Sequence, residues 1–151
     1  MPLFTITGDD TLIIGGQVIT DLADNDISVL SFPNNIAEKK TGKNGNTIVA
    51  QNQSGLNGDL VVRIMRGSSD DVYLQGLLTS QINNFAGFSL LTGQFVKNMG
   101  DGTGTMIQDV YTLTGGFFNK QVEGSTNVQG TTDQGVAIYR LMFSNVTRTQ
   151  Q

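Results

Sequence analysis

The chain of 151 residues has no cysteine, no histidine and no tryptophan, and only two prolines. Without cysteine there are no disulfides, thiol nucleophiles or thiolate metal sites. Without histidine the commonest general base and the commonest metal ligand are gone. Serine triads, Cys–His dyads, zinc hydrolases and His-carboxylate iron sites are thereby excluded. Charge is sparse too, at 15% of residues against about 25% in ordinary domains. The net charge of −4 argues against generic binding to nucleic-acid phosphates. An enzyme would be left with Asp, Glu, Lys, Ser and Tyr, and no convergent cluster of these stands out, so neither catalysis nor a cofactor is expected. The N-terminal stretch "MPLFTITGDDTLIIGG" has no basic region and no long apolar run, so it reads as neither a signal peptide nor a membrane span.

In place of these stand 19 glycines and an abundance of Thr, Asn, Gln and Ser. A polar, weakly charged surface of this kind suits packing against other copies better than steering a charged ligand. The residues read as one domain, 1–151, mainly β. "DTLIIGGQVITDL" reads as a strand that Gly15-Gly16 bends or bulges, and "DISVLSF" as a second strand ended by Pro33. "NNIAEKKTGKNGN", residues 34–46, reads as a long loop or a mobile hairpin, with "TIVAQNQS" as its return strand. "GDLVVRIMRG" is a core strand. "SSDDVYLQGLLTSQINNF" is the one helix, capped by Ser68 or Ser69, with Asp70 and Asp71 at the positive end of its dipole and a stripe of Leu74, Leu77, Leu78, Ile82 and Phe85. Three further strands should form an antiparallel meander, and the expected fold is an antiparallel β-sandwich with one flanking helix.

The segment from Thr105 to Glu123 contains no proline and is rich in strand formers. At about 3.3 Å per residue it reaches roughly 60 Å, far beyond a compact domain whose radius of gyration should be ~15 Å. Gly115 and Gly116 are expected to mark where this strand bends and passes between two sheets. Both faces of the last strand are apolar: Ala137, Tyr139, Leu141 and Phe143 point one way, and Val136, Ile138 and Met142 the other. Either a sandwich core with helix cover buries both faces, or part of these faces or edges is covered by neighbouring copies.

Other motifs are weak. "GDGTG" at residues 100–104 fits a phosphate cradle, but strands on both sides favour a hairpin turn. "DLADNDIS" lacks the glycine and glutamate of a calcium loop. Asp70 and Asp71 are adjacent and point apart on a helix. Lys39, Lys40 and Lys43, with Ile36 and Glu38, read either as part of a solvated loop or as a contact arm on the 34–46 segment. Asp9, Asp10, Asp21, Asp24 and Asp26, with no basic residue before Pro33, offer an acidic surface on which an arm from another copy could dock.

The pieces "YTLTGG", a polar loop and "AIYRLMFSNVTR", in the order strands, long polar loop, strand, helix, strands, resemble the tail tube proteins of contractile-tailed bacteriophages. Tube proteins of phage-tail-like bacteriocins and of type VI secretion share that fold. The resemblance implies a homohexameric ring with a continuous inner β-barrel. Rings stack into a tube inside a contractile sheath in the phage tail, assembled in the bacterial cytoplasm. The implied partners are further copies, the sheath protein, and baseplate and tail terminator proteins, with DNA passing the lumen without specific binding. The lumen should be acidic or neutral and poor in lysine, with Asn119, Gln121 and Glu123 as candidates. The 34–46 segment should be poorly ordered in a free subunit and ordered on assembly. A β-sandwich module binding glycan or protein on a virion surface is the alternative, disfavoured by the missing tryptophan.

Overall fold

Short strand-forming runs separated by glycine and polar turns give nine strands and one helix among the described residues: β1 (Thr5–Ile14), β2 (Gln17–Ile19), β3 (Ser28–Ser31), β4 (Ala37–Thr41), β5 (Thr47–Gln51), β6 (Gly58–Met65), α1 (Ser69–Asn83), β7 (Leu91–Gly100), β8 (Met106–Phe118) and β9 (Val136–Gln150). The structure, a computed structural model, describes residues 3–23, 28–124, 126, 128–129 and 132–150, and only the backbone of Asp9, Ser54 and Asp133. Seven strands form one antiparallel sheet in the order β2-β1-β7-β8-β9-β6-β3, and β4 and β5 pair separately. The fold is of the expected class, mainly β and antiparallel with one helix. It is built as one strongly curled sheet that forms a half-barrel, and the expected meander is β7-β8-β9.

The curl follows from one crossing. β2 and β6 lie five strand positions apart in the sheet order, about 24 Å if the sheet were flat. Yet Leu22, three residues beyond the end of β2, bridges Ile64 of β6, and three residues span at most about 11 Å. Ala23 N–H donates to Arg63 O at 3.0 Å, and Met65 N–H to Asp21 O at 2.8 Å. The sheet must therefore roll until its ends meet. Its concave side holds Leu12, Ile14, Leu60, Val62, Ile64, Leu113, Tyr139, Leu141 and Phe143, all nearly fully buried.

Helix α1 caps this concave core. Ser68 accepts from Asp71 N–H as its N-cap, and Leu74 and Leu78 are buried. Ile82 and Phe85, expected in the same stripe, are exposed, and Phe85 lies past the helix end. The sheet-facing position in that turn belongs to Gln81, and the reason lies in the sheet. β7 runs out at Leu91, opposite Gly116, so the backbone of Phe118 has no strand on that side. Gln81 supplies the bonds, accepting from Phe118 N–H at 2.8 Å and donating to Phe118 O at 2.9 Å. At the other end of the helix the buried Asp70 carboxylate accepts from Thr20 N–H at 2.7 Å and Asp21 N–H at 2.8 Å, holding the crossing that closes the sheet. Burial alone would raise the Asp70 pKa, but the bonds from Asp21, Thr20 and Gln17 outweigh it and hold the pKa below the ordinary value.

Two glycine pairs redirect the chain. Gly15 and Gly16 were expected to bend or bulge one strand. They form a two-residue hairpin turn between β1 and β2, with φ of 62° and 89°, left-handed values that glycine adopts without strain. Gly115, with φ of 66°, sits where β8 changes face: Leu113 points inward before it, and Gly116 and Phe118 after it. β9 changes face at the same level, with Phe143 and then Val146 inward. The expected passage between two sheets is thus a change of parity within one sheet. β8 also ends at Phe118 rather than running on to Glu123, with Asn119 N–H making one last bond to Arg140 O at 2.9 Å in the same register.

A Cβ at position 116 would drive into the Phe143 ring. Gly116→Ala should cost about 1–3 kcal/mol, read as a lower urea midpoint; an unchanged midpoint would remove this contact from the account. Asp70 contributes stability that is fully present above the unfolded value of about 3.9 and lost as pH falls through its lower folded value. Acid titration of unfolding should accordingly show a steeper loss below pH ~4 for the parent than for Asp70→Asn; parallel profiles would refute the role given to this carboxylate.

Candidate assembly surfaces

Several of the acids singled out by the sequence are occupied locally. Asp101 Oδ1 takes the N–H groups of Thr103 and Thr105 at 2.9 and 3.3 Å, so the "GDGTG" turn fills its own amide nest and leaves no phosphate cradle. The Asp101 hydrogen bonds, the Thr103 hydroxyl first, hold its carboxyl below the usual range. Asp70 and Asp71 point apart, Asp71 serving Gly67 N–H at 2.8 Å and the Tyr139 hydroxyl. No group of three or more metal-ligating acids occurs among the described residues. The groove beside the helix C-terminus, lined by Leu77, Ser80, Asn83 and Phe88, holds no ionisable side chain.

The assembly residues read from the sequence fall in three places. Glu38, Lys39 and Lys40 lie on β4, Lys43 in the turn and Ile36 just before the strand. The 34–46 segment is thus the outgoing half of a hairpin, with Glu38 opposite Ala50, Lys39 opposite Val49 and Lys40 opposite Ile48. All ten strand residues of this hairpin are exposed, including Ile48 and Val49 at 73% and 72%. A lone two-stranded hairpin with no covered face is marginal in water. The acidic set is not one open patch. Asp10 is paired with Lys97 at 3.2 Å and Asp21 accepts from the Ser69 hydroxyl at 3.2 Å. Asp24, Asp26 and the Asp9 side chain lie outside the described residues. Asn119, Gln121 and Glu123 follow β8, with Glu123 bound to Arg140 at 2.9 Å.

A surface that no sequence motif marks is built by strand lengths. β1 is flanked by β2 only at Leu12–Ile14, and β9 by β6 only at Val136–Phe143. The first half of β1, β7, the first half of β8 and the last residues of β9 therefore extend as a four-stranded platform. No described strand lies on its β1 edge before Leu12 or on its β9 edge from Ser144 onward. One face of the platform joins the core through Leu12, Phe95, Tyr111 and Leu113. The other carries Thr11, Val96, Val110 and Thr149 in one row, and Gln94, Thr112 and Thr147 in the next. Beside them Gln108 donates to the Asn98 side chain at 3.2 Å. None of these residues is charged. At the turn end of the platform Leu3, Phe4, Ile6 and Met106 are exposed.

No protein-family model and no curated protein matches the sequence. Solved structures do match in fold. A chain in the cryo-EM structure of an extracellular contractile injection system, the PVC sheath/tube terminator in its extended state, is 13% identical, with 94% of each chain covered and a TM-score of 0.61. The cap of the anti-feeding prophage, its tube-terminating cap, is 9% identical over 94% of this chain and 88% of its own, with a TM-score of 0.62. A chain of the PVC sheath-tube complex in its extended state is 12% identical over 93% of this chain and 87% of its own, with a TM-score of 0.60.

Proposed function

We propose that the chain is a non-enzymatic, ring-forming structural subunit of the tube of a contractile tail. The observation that carries this is the pair of platform edges left without a strand. In the platform β1 runs antiparallel to β9, because each of the three steps between them is antiparallel. The β9 edge of one copy can therefore pair with the β1 edge of the next in a fully antiparallel sheet. Repetition around a ring closes a barrel and leaves no edge exposed. The core joins one face of the platform, so the uncharged Thr, Gln and Asn face is the one free to line the lumen. Six copies of four strands would give a backbone diameter of ~45–50 Å at ordinary strand spacing and tilt, wide enough for a DNA duplex. A lumen wall whose described residues carry no fixed charge offers passing phosphates no counterion-releasing contacts there.

Stacking of rings is supported by the apolar rim of Leu3, Phe4, Ile6 and Met106 and by the exposed β4–β5 hairpin, which would reach an adjacent subunit or ring. The sheath would bind the outside of the tube, and baseplate and terminator proteins its ends, in a phage tail or tail-like particle assembled in the host cytoplasm. A second reading, a terminating ring that caps such a tube, is favoured by the fold shared with the PVC terminator and the anti-feeding prophage cap.

Electron microscopy of concentrated protein separates these readings. A tube subunit gives stacked rings and tubes, and a terminator gives single rings that do not elongate. A species that stays monomeric at high concentration contradicts both. Deleting Glu38–Gly45 should leave rings intact and abolish their stacking, seen as loss of tubes in the same micrographs. Tubes of unchanged length would take the hairpin out of the mechanism.

A further inference from the structure

Four charged side chains cross the core-side face of the platform, one from each strand. Asp10, Lys97 and Asp109 are register partners on β1, β7 and β8. Lys97 Nζ lies 3.2 Å from Asp10 Oδ1. Arg148 on β9 donates to both oxygens of Asp109, at 2.8 and 3.0 Å, with its guanidinium over the Tyr111 ring, 5.7 Å from the centroid. The signs alternate across the row: negative, positive, negative, positive.

The row ends on the two edges that lack a strand, with an acid at one end and a base at the other. Arg148 is also the most exposed member, with its side chain 51% accessible against 12% for Asp109. The bonds to Asp109 use Nε and Nη2, and a guanidinium has five N–H donors in a planar fork, so donors remain on the side away from Asp109. Resting on the ring reading above, we infer that Arg148 of one copy binds Asp10 of the next. The charge row thereby becomes a continuous alternating belt behind the lumen wall, and this contact sets the register of the joint. Antiparallel pairing of 148 with 10 places Thr147 opposite Thr11. A slip of one residue would put Arg148 on the wrong face. A slip of two would set it against Gly8, or against Leu12, where β2 already occupies the edge.

The absence of cysteine makes the register directly testable. Thr11 and Thr147 lie on the uncharged face, away from the charge row and the core. In assembled Thr11→Cys/Thr147→Cys protein, oxidation should yield covalent oligomers up to the full ring on a non-reducing gel. The Thr11→Cys/Thr149→Cys pair, offset by two residues or roughly 7 Å, lies beyond disulfide reach and should cross-link at least about tenfold less. Asp10→Asn should weaken ring association and blunt its salt dependence, a readout that holds even if a cysteine variant folds poorly. Rings that cross-link through 149 and not 147, or whose stability ignores both salt and Asp10→Asn, overturn the inference and leave the ring reading standing. Parent protein that forms no ring overturns both.

Discussion

β9 is 15 residues long and β6, its outer neighbour, is 8; β1 is 10 and β2 is 3. That mismatch is the constraint on which the rest depends. It leaves backbone donors and acceptors on two edges at the same end of the sheet. Such an edge is an open template for another chain, and proteins that stay monomeric blunt it with charge, proline or a bulge. Here β9 carries Arg148 as its one charged residue beyond Ser144, and no proline. The extension of β1 has an irregularity between Ile6 and Asp10, which leaves Asp10 and Thr11 regular beside the joint. Two edges of complementary direction and opposite end charge would meet as a heterologous contact. Such a contact closes into a ring where the rotation allows and runs on as a filament where it does not.

The remainder of the fold holds that platform rigid. The short crossing after β2, anchored by Asp70, forces the sheet to curl. Curling brings Leu12, Tyr139, Leu141 and Phe143 against one another and against α1. Gln81 stands in for the strand that β7 does not supply. The paired change of face at Gly115 and near Ser144 lets β8 and β9 serve the curled core with one half and the platform with the other. The long strands and the sparse surface charge are then one design, in which the body fixes the geometry and the extension offers the joint.

The sequence made the local elements legible. The Ser68 cap, the two acids of the first turn and the leucine spacing marked α1. Alternation marked the inward set from Ala137 to Phe143, and Gly115-Gly116 marked the place where the strand changes. The lysine-bearing segment was readable as one arm of a hairpin. Less was legible wherever one residue type serves two purposes. A glycine pair between apolar runs suits a bulge as well as a hairpin turn, and Gly15-Gly16 proved to be the turn. Gln81 lies outside the apolar stripe that marks the helix, and its role depends on where β7 stops. The free edges and the charge row were not legible, since both exist only through register. Asp10, Lys97, Asp109 and Arg148 are far apart in sequence, and nothing in their local context marks them as neighbours. The uncharged face likewise exists only through register, whereas Asn119, Gln121 and Glu123 lie beyond the end of β8.

Site-resolved amide hydrogen exchange on the monomer and on the assembled protein tests the central claim most directly. The account predicts that outward-pointing amides between Ser144 and Gln150, and that of Asp10, exchange rapidly in the monomer and become strongly protected on assembly. The core amides of β6 should be protected in both. Assembled protein in which these edge amides still exchange at the monomer rate would show that copies join through some other surface, and would contradict it.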